Sequence, residues 1–179
     1  MARIDENNLT ATNIIVGAGE LEVDGVNVGF TNDGVTFSYE RTTLEVAPDQ
    51  VVCAVKYKRT GEVLTITTNL LEATLSNLKL VWDVSGTVES GSGTSELKFG
   101  CESPCEQPEH SLWFSGPGPN CKTRYIEIYK AFSVEAGEHS YKKDDMTVIP
   151  VVFKAVADMT KDAGERFGRI LDTDEDWVD

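Results

Sequence analysis

Cys101, Cys105, His110 and Cys121 fall within 21 residues of one another. Thiolates and imidazole are ligands that zinc favours, and a Cys-x3-Cys spacing lies in the range used by structural zinc sites. Three thiolates and one imidazole would complete a tetrahedral shell. Ten residues separate His110 from Cys121, so the second half lacks the close-spaced pair that usually completes such a site. The same thiols could form a disulfide in a protein that ends up outside cells, or remain free. All three readings stand on sequence alone. The fourth cysteine, Cys53, shares an expected strand face with Val51 and Val55 and reads as an inert buried thiol.

Other catalytic patterns fail on inspection. The two histidines, His110 and His139, lie in polar loop contexts, with no G-x-S-x-G elbow and no H-E-x-x-H. Gly17-Ala18-Gly19 echoes a glycine-rich nucleotide loop but runs into a strand pattern. A dinucleotide needs a helix N-terminus there to hold its pyrophosphate. Asp144-Asp145 and Asp174 to Asp176 read as solvated surface, and Lys56, Lys58 and Arg59 as a surface cluster or an intermolecular ion-pair partner. No catalytic residue, cofactor or enzymatic activity is expected.

The elements that must position these residues are mostly strands. Glu20–Val23 alternates, Asp24-Gly25 supplies a turn with positive φ, and Val26–Phe30 returns. Asn32-Asp33-Gly34 reads as a second turn. Val35, Phe37 and Tyr39 then alternate with polar residues, and the pattern runs to Ala47. Val51 to Lys58 reads as a long strand, Thr60-Gly61 as a turn, and Glu62 to Thr68 as the return, with Thr65 and Thr67 opposite Leu64 and Ile66. One helix is expected over 69–82, capped by Asn69 with Glu72 as its capping-box partner. Its apolar stripe is Leu71, Leu75, Leu78 and Trp82. Residues 84–122 are rich in Gly, Pro and Cys and read as a loop-rich insertion with short strands at Ser95–Phe99 and Leu112–Phe114. Strands resume at Arg124–Phe132 and Thr147–Ala157, where Pro150 is expected at an edge or bulge. Local antiparallel connections predict a mainly β fold, an antiparallel β-sandwich or barrel with one flanking α-helix. The domain spans 12–172, between an N-terminal arm at 1–11 and an acidic tail at 173–179.

Length and charge bound the function. A chain of 179 residues buries roughly 70% of its unfolded surface, enough for a core without staples. Thirty acids against 16 bases give a net charge of -14. Such a field repels phosphates and anionic membranes, which argues against a nucleic-acid ligand. No apolar run approaches the ~20 residues of a membrane span, and Met1–Thr10 lacks the pattern of a secretion signal. Synthesis in the cytoplasm is expected.

Three segments together carry a resemblance. They are Thr12–Tyr39 (TNIIVGAGELEVDGVNVGFTNDGVTFSY), Val63–Leu80 (VLTITTNLLEATLSNLKL) and Val151–Leu171 (VVFKAVADMTKDAGERFGRIL). In that order they resemble the major tail, or tail tube, proteins of long-tailed bacteriophages and related prophage particles. The resemblance implies hexameric rings whose long strands join into an inner β-barrel, stacked into a tube that conducts DNA. It implies as partners other copies of the chain, tape-measure and tail-tip proteins, a tail terminator, and DNA as a non-specific cargo, with no membrane. Carried over, strands at 35–46 and 51–68 would form the lumen hairpin, with Val35, Phe37, Tyr39, Val55, Tyr57, Thr65 and Thr67 as its inter-subunit residues. Ala47, Pro48, Asp49 and Gln50 would contact the neighbouring ring. The helix would pack outside, and the protein would end in the virion tail. Residues 84–122 have no place on this pattern. A ring of six would carry -84 from -14 per copy, so salt should favour its assembly. The alternative is an Ig-like sandwich acting as a binding or capsid-decorating module.

Overall fold

The computed structural model describes residues 10–84, 86–100, 107–136, 138 and 140–174. Within them the fold is mainly β and antiparallel, with one helix, and it is a sandwich and not a closed barrel. The strands are β1 (Glu20–Val23), β2 (Val26–Asn27), β3 (Thr31–Val46), β4 (Lys56–Leu70), β5 (Val88–Gly91), β6 (Thr94–Leu97), β7 (His110–Pro117), β8 (Thr123–Ala136), β9 (Ile149–Ala155) and β10 (Gly168–Thr173). Helix α1 spans Leu75–Val81. The main sheet runs β2-β1-β7-β8-β9-β4-β3, with β10 also on β8, and β5-β6 form a separate hairpin.

One long strand makes the sheet into two layers. The first half of β8 lies between β7 and β10, and its second half pairs with β9. The partner changes between Ile128 and Ala131, where the pairing to β7 also shifts register, and a second shift between Ser133 and Glu135 lies within the pairing to β9. Such irregularities bend a strand, which lets the β9-β4-β3 part fold over the β1-β7-β8-β10 part. Side chains from both layers fill one core, including Leu21, Leu112 and Ile128 from one and Ile66, Leu70, Val151 and Phe153 from the other. The Phe37 and Phe114 rings meet edge to face across the layers at 5.4 Å. In β9 the alternation is strict: Ile149, Val151, Phe153 and Ala155 are buried.

The structure corrects several sequence expectations. Asn32-Asp33-Gly34 does not end a strand. Asp33 and Gly34 do take positive φ (61° and 74°), but they form a bulge within β3, and Thr68 Oγ donates to the Gly34 carbonyl at 3.0 Å. Thr60-Gly61 is likewise a bulge within β4, opposite Thr42 and Thr43. Residues 51–55 are not strand, and Cys53 is exposed, not buried. The helix is shorter than 69–82. Asn69 pairs in β4 with Asn32 and Pro150, so it cannot cap. Thr74 caps instead, accepting from the Asn77 N–H at 3.1 Å. Glu72 accepts from the Phe30 N–H at 3.1 Å, beside Gly29 at φ 82°. The positive φ strains any other residue at Gly29, and a Cβ there would have to displace the Glu72 carboxylate. Pro150 sits in an interior strand, one residue beyond the last described rung to β8, Ala136 with Val151. Within 84–122 the short strand expected at Ser95–Phe99 overlaps β6, that at Leu112–Phe114 falls in the longer β7, and β7 sits between β1 and β8 in the main sheet.

Candidate functional site

The cysteine–histidine group does not assemble as a metal site among the described residues. Cys101 and Cys105 lie outside them. Cys121 is exposed at the end of a short 3-10 turn. Both nitrogens of His110 are engaged by carboxylates: Nδ1 is 2.7 Å from Asp24 Oδ2, and Nε2 is 3.1 Å from Asp83 Oδ1. A ring held this way has no lone pair directed at a metal. The histidine instead ties the β1-β2 turn to Asp83, two residues beyond α1. Asp24 Oδ1 also accepts from the Ser111 N–H at 2.8 Å.

The feature that stands apart from the core is the β3-β4 hairpin. Sixteen residues of β3 span roughly 50 Å at ~3.3 Å per residue. None is fully buried. β3 is the last strand of the sheet, so its outer edge has no strand partner among the described residues. β4 pairs with β9 only from Thr65 to Leu70. Beyond Thr65 the two strands continue as a ribbon that no third strand pairs with among the described residues, and such an edge is a template for further pairing.

Register assigns the faces of the ribbon. Phe37 opposes Ile66, Tyr39 opposes Leu64, and Arg41 opposes Glu62, all on the core side. Thr36 opposes Thr67, Ser38 opposes Thr65, and Thr42 opposes Gly61 on the other side. The residues expected at a lumen or subunit contact therefore divide. Val35 and Phe37 pack against the core and Tyr39 lies on their face, whereas Thr65 and Thr67 lie on the opposite face. Tyr57 is exposed, and Val55 sits outside β4, with its N–H bonded to the Val46 carbonyl at 3.0 Å. Ala47, Pro48, Asp49 and Gln50 are at the ribbon tip, where the Val51 N–H closes a turn onto Pro48 at 3.1 Å.

The tip is apolar and comparatively cationic. Leu44, Val46, Val51, Val52 and Val55 are all exposed, Val52 completely. Across residues 40–60, Arg41, Lys56, Lys58 and Arg59 outweigh Glu40, Glu45 and Asp49, a net +1 on a chain of -14. Among the described residues neither Lys56 nor Lys58 has a carboxylate partner within ion-pair distance.

At the ribbon's base a polar cluster fixes its setting. Tyr39 donates to Glu62, which lowers the Glu62 carboxyl below its usual range, helped by Arg59 and Arg41. The same bond is the first cause that raises the Tyr39 phenol. Arg59 pairs with Glu62, and the Arg41 guanidinium lies 5.3 Å from the Tyr39 ring centre. Sequence reading missed this cluster because it took Thr60-Gly61 for a turn. With the bulge in place, Arg59 joins the face of Glu62.

Comparison with models of known protein families and with curated proteins finds no match to this chain.

Proposed function

We propose that the chain is a structural subunit of a tail tube, assembling with copies of itself into stacked rings that conduct DNA. The observation that carries this reading is the β3-β4 ribbon: two long strands with an open edge, a tip of exposed aliphatic side chains, and no core of its own. Edge pairing between ribbons of neighbouring copies would extend the sheet around a ring and leave no open edge.

Register sharpens which side would face a bore. The Phe37 side is committed to the core, so the bore would be lined from Thr36, Ser38, Glu40, Thr42, Thr65 and Thr67. Hydroxyls and a carboxylate suit a water-filled channel along which DNA slides without sticking. The cationic, apolar tip would meet the acidic body of a copy in the next ring, a heterologous contact that propagates along an axis. In this reading the six-fold ring number, the tape-measure, tail-tip and terminator partners, and the virion-tail location follow from the family resemblance. No helix among the described residues is long and apolar enough to cross a membrane.

Hydrogen exchange tests this reading. In the free chain, amides of 40–46 and 56–62 should exchange far faster than those of β9. In assembled material they should gain protection. Slow exchange along the whole ribbon in a strictly monomeric chain would favour the free-standing binding or decorating module, whose core is already complete.

A further inference from the structure

The two layers of the sandwich do not close at the base of the ribbon. Between β4 and β10 they leave a groove of about 720 Å³. Its floor and walls are apolar, with Leu64 on one side, Ile126 beneath, and Phe167 and Ile170 on the other. Ile170 is 65% exposed even though it pairs within the sheet opposite Ile126. The rim carries Arg59, Arg166 and Arg169; Glu62 pairs with Arg59 and Glu127 with Arg169, while among the described residues the Arg166 Nε donates only to the Lys161 carbonyl at 3.4 Å. With three guanidinium groups against two carboxylates, the rim of this apolar slot keeps a net positive charge on a chain of net charge -14. Its complement is an apolar side chain flanked by acids.

The chain supplies such a segment. Asp172 to Asp179 reads DTDEDWVD, five acids in eight residues around Trp177 and Val178. An indole is a large apolar payload for a slot of this volume, and tryptophan is a preferred anchor in a desolvated pocket. Its own groove is badly placed for it. The groove lies at the Gly168 end of β10, whereas the chain leaves from the Thr173 end. Asp174 then pairs with Lys122 at 3.2 Å, beside the start of β8. Entry of Trp177 into the same copy's groove would need a full reversal within the two residues that separate it from Asp174. A second copy imposes no such reversal.

We propose that the groove between β4 and β10 receives Trp177 from the C-terminal tail of a neighbouring copy, with the tail's acids facing Arg59, Arg166 and Arg169. The contact is head-to-tail, because tail and groove are different surfaces. It stands or falls independently of the tube, since it needs only two copies and no ring.

The probe is a labelled peptide, DEDWVD, titrated by fluorescence anisotropy into full-length protein. The full-length Trp177→Ala chain should bind it saturably, and binding should weaken as salt rises. Ile170→Glu and Arg166→Glu, placed in the Trp177→Ala chain, should each weaken binding by about tenfold or more. Ile170 is exposed, so its replacement spares the core, and circular dichroism checks the fold. Wild-type protein at nanomolar dilution should bind the peptide as tightly as Trp177→Ala, because an isolated copy leaves its groove open. Three results would overturn the proposal: no saturable binding to Trp177→Ala, binding indifferent to Ile170→Glu, or markedly weaker binding by dilute wild type, which would mean that each tail fills its own groove. Rings that form without peptide binding would leave the tube reading standing and this contact refuted.

Discussion

Replacing Val51 and Val52 together by alanine separates assembly from folding. Both side chains are exposed at the ribbon tip, Val52 at 104% and Val51 at 49%. Neither belongs to the core cluster. Removing them should leave monomer stability within about 0.5 kcal/mol, as for other exposed sites. If the tip is buried against a neighbouring copy, each Val→Ala change deletes two methyl groups from that contact. At about 0.8 kcal/mol per buried carbon the pair loses roughly 3 kcal/mol. That is a weakening of about two orders of magnitude per contact. Alanine adds no charge, so electrostatics stay fixed. Urea unfolding of dilute protein measures the first quantity, and the concentration at which large species appear in sedimentation velocity measures the second. The reasoning fails if the double variant assembles at the wild-type concentration. It also fails if the urea midpoint drops by more than the stated margin, because the tip would then be packed within its own chain.

Further expectations follow from the interior and the ribbon base. Asn77→Ala removes two donations, to the carbonyls of Val28 at 2.9 Å and Glu72 at 2.8 Å, and should cost about 2–4 kcal/mol in urea unfolding. His110→Ala leaves Asp83, whose Oδ2 is already buried without a partner, facing no counter-group, and should destabilise by about 3 kcal/mol. Adding Asp83→Asn to that variant should recover part of the loss. Tyr39→Phe removes the bond that lowers Glu62, so the Glu62 carboxyl resonance should titrate at a higher pH in NMR. The carboxyls of Glu62, Asp158 and Asp172 are all lowered, Asp158 chiefly by bonds from Thr160 and Asp172 chiefly by its bonds from Arg124. Their stabilisation is complete above the ordinary carboxylate range and is lost as pH falls through their lowered values. The urea midpoint should therefore hold steady near neutrality and fall below about pH 4.

The sequence made the alternating strands legible and left their connections obscure, for a physical reason. Ile149, Val151, Phe153 and Ala155 are buried on one face, as their spacing requires. Asp24-Gly25 forms the expected turn, both residues with positive φ. The same chemistry at Asp33-Gly34 delivers positive φ without reversing the chain, because Thr68 and the paired β4 strand hold the peptide as a bulge. Local turn propensity specifies a dihedral, and only the partner strand decides between a turn and a bulge. Asn69 shows the same limit: a good cap by type, it is taken by the sheet, and Thr74 caps instead. His110 read as a possible ligand because its partners, Asp24 and Asp83, are 86 and 27 residues away. The apolar groove was invisible for the same reason, since Leu64, Ile126 and Ile170 meet only through tertiary pairing.

Electron microscopy of the purified full-length chain, concentrated at moderate and at high ionic strength, tests the central claim most directly. The account predicts rings or tubes with a central bore, more abundant at the higher salt because screening relieves repulsion between copies of charge -14. Uniform compact monomers under every condition, with the ribbon folded against its own body, would contradict it.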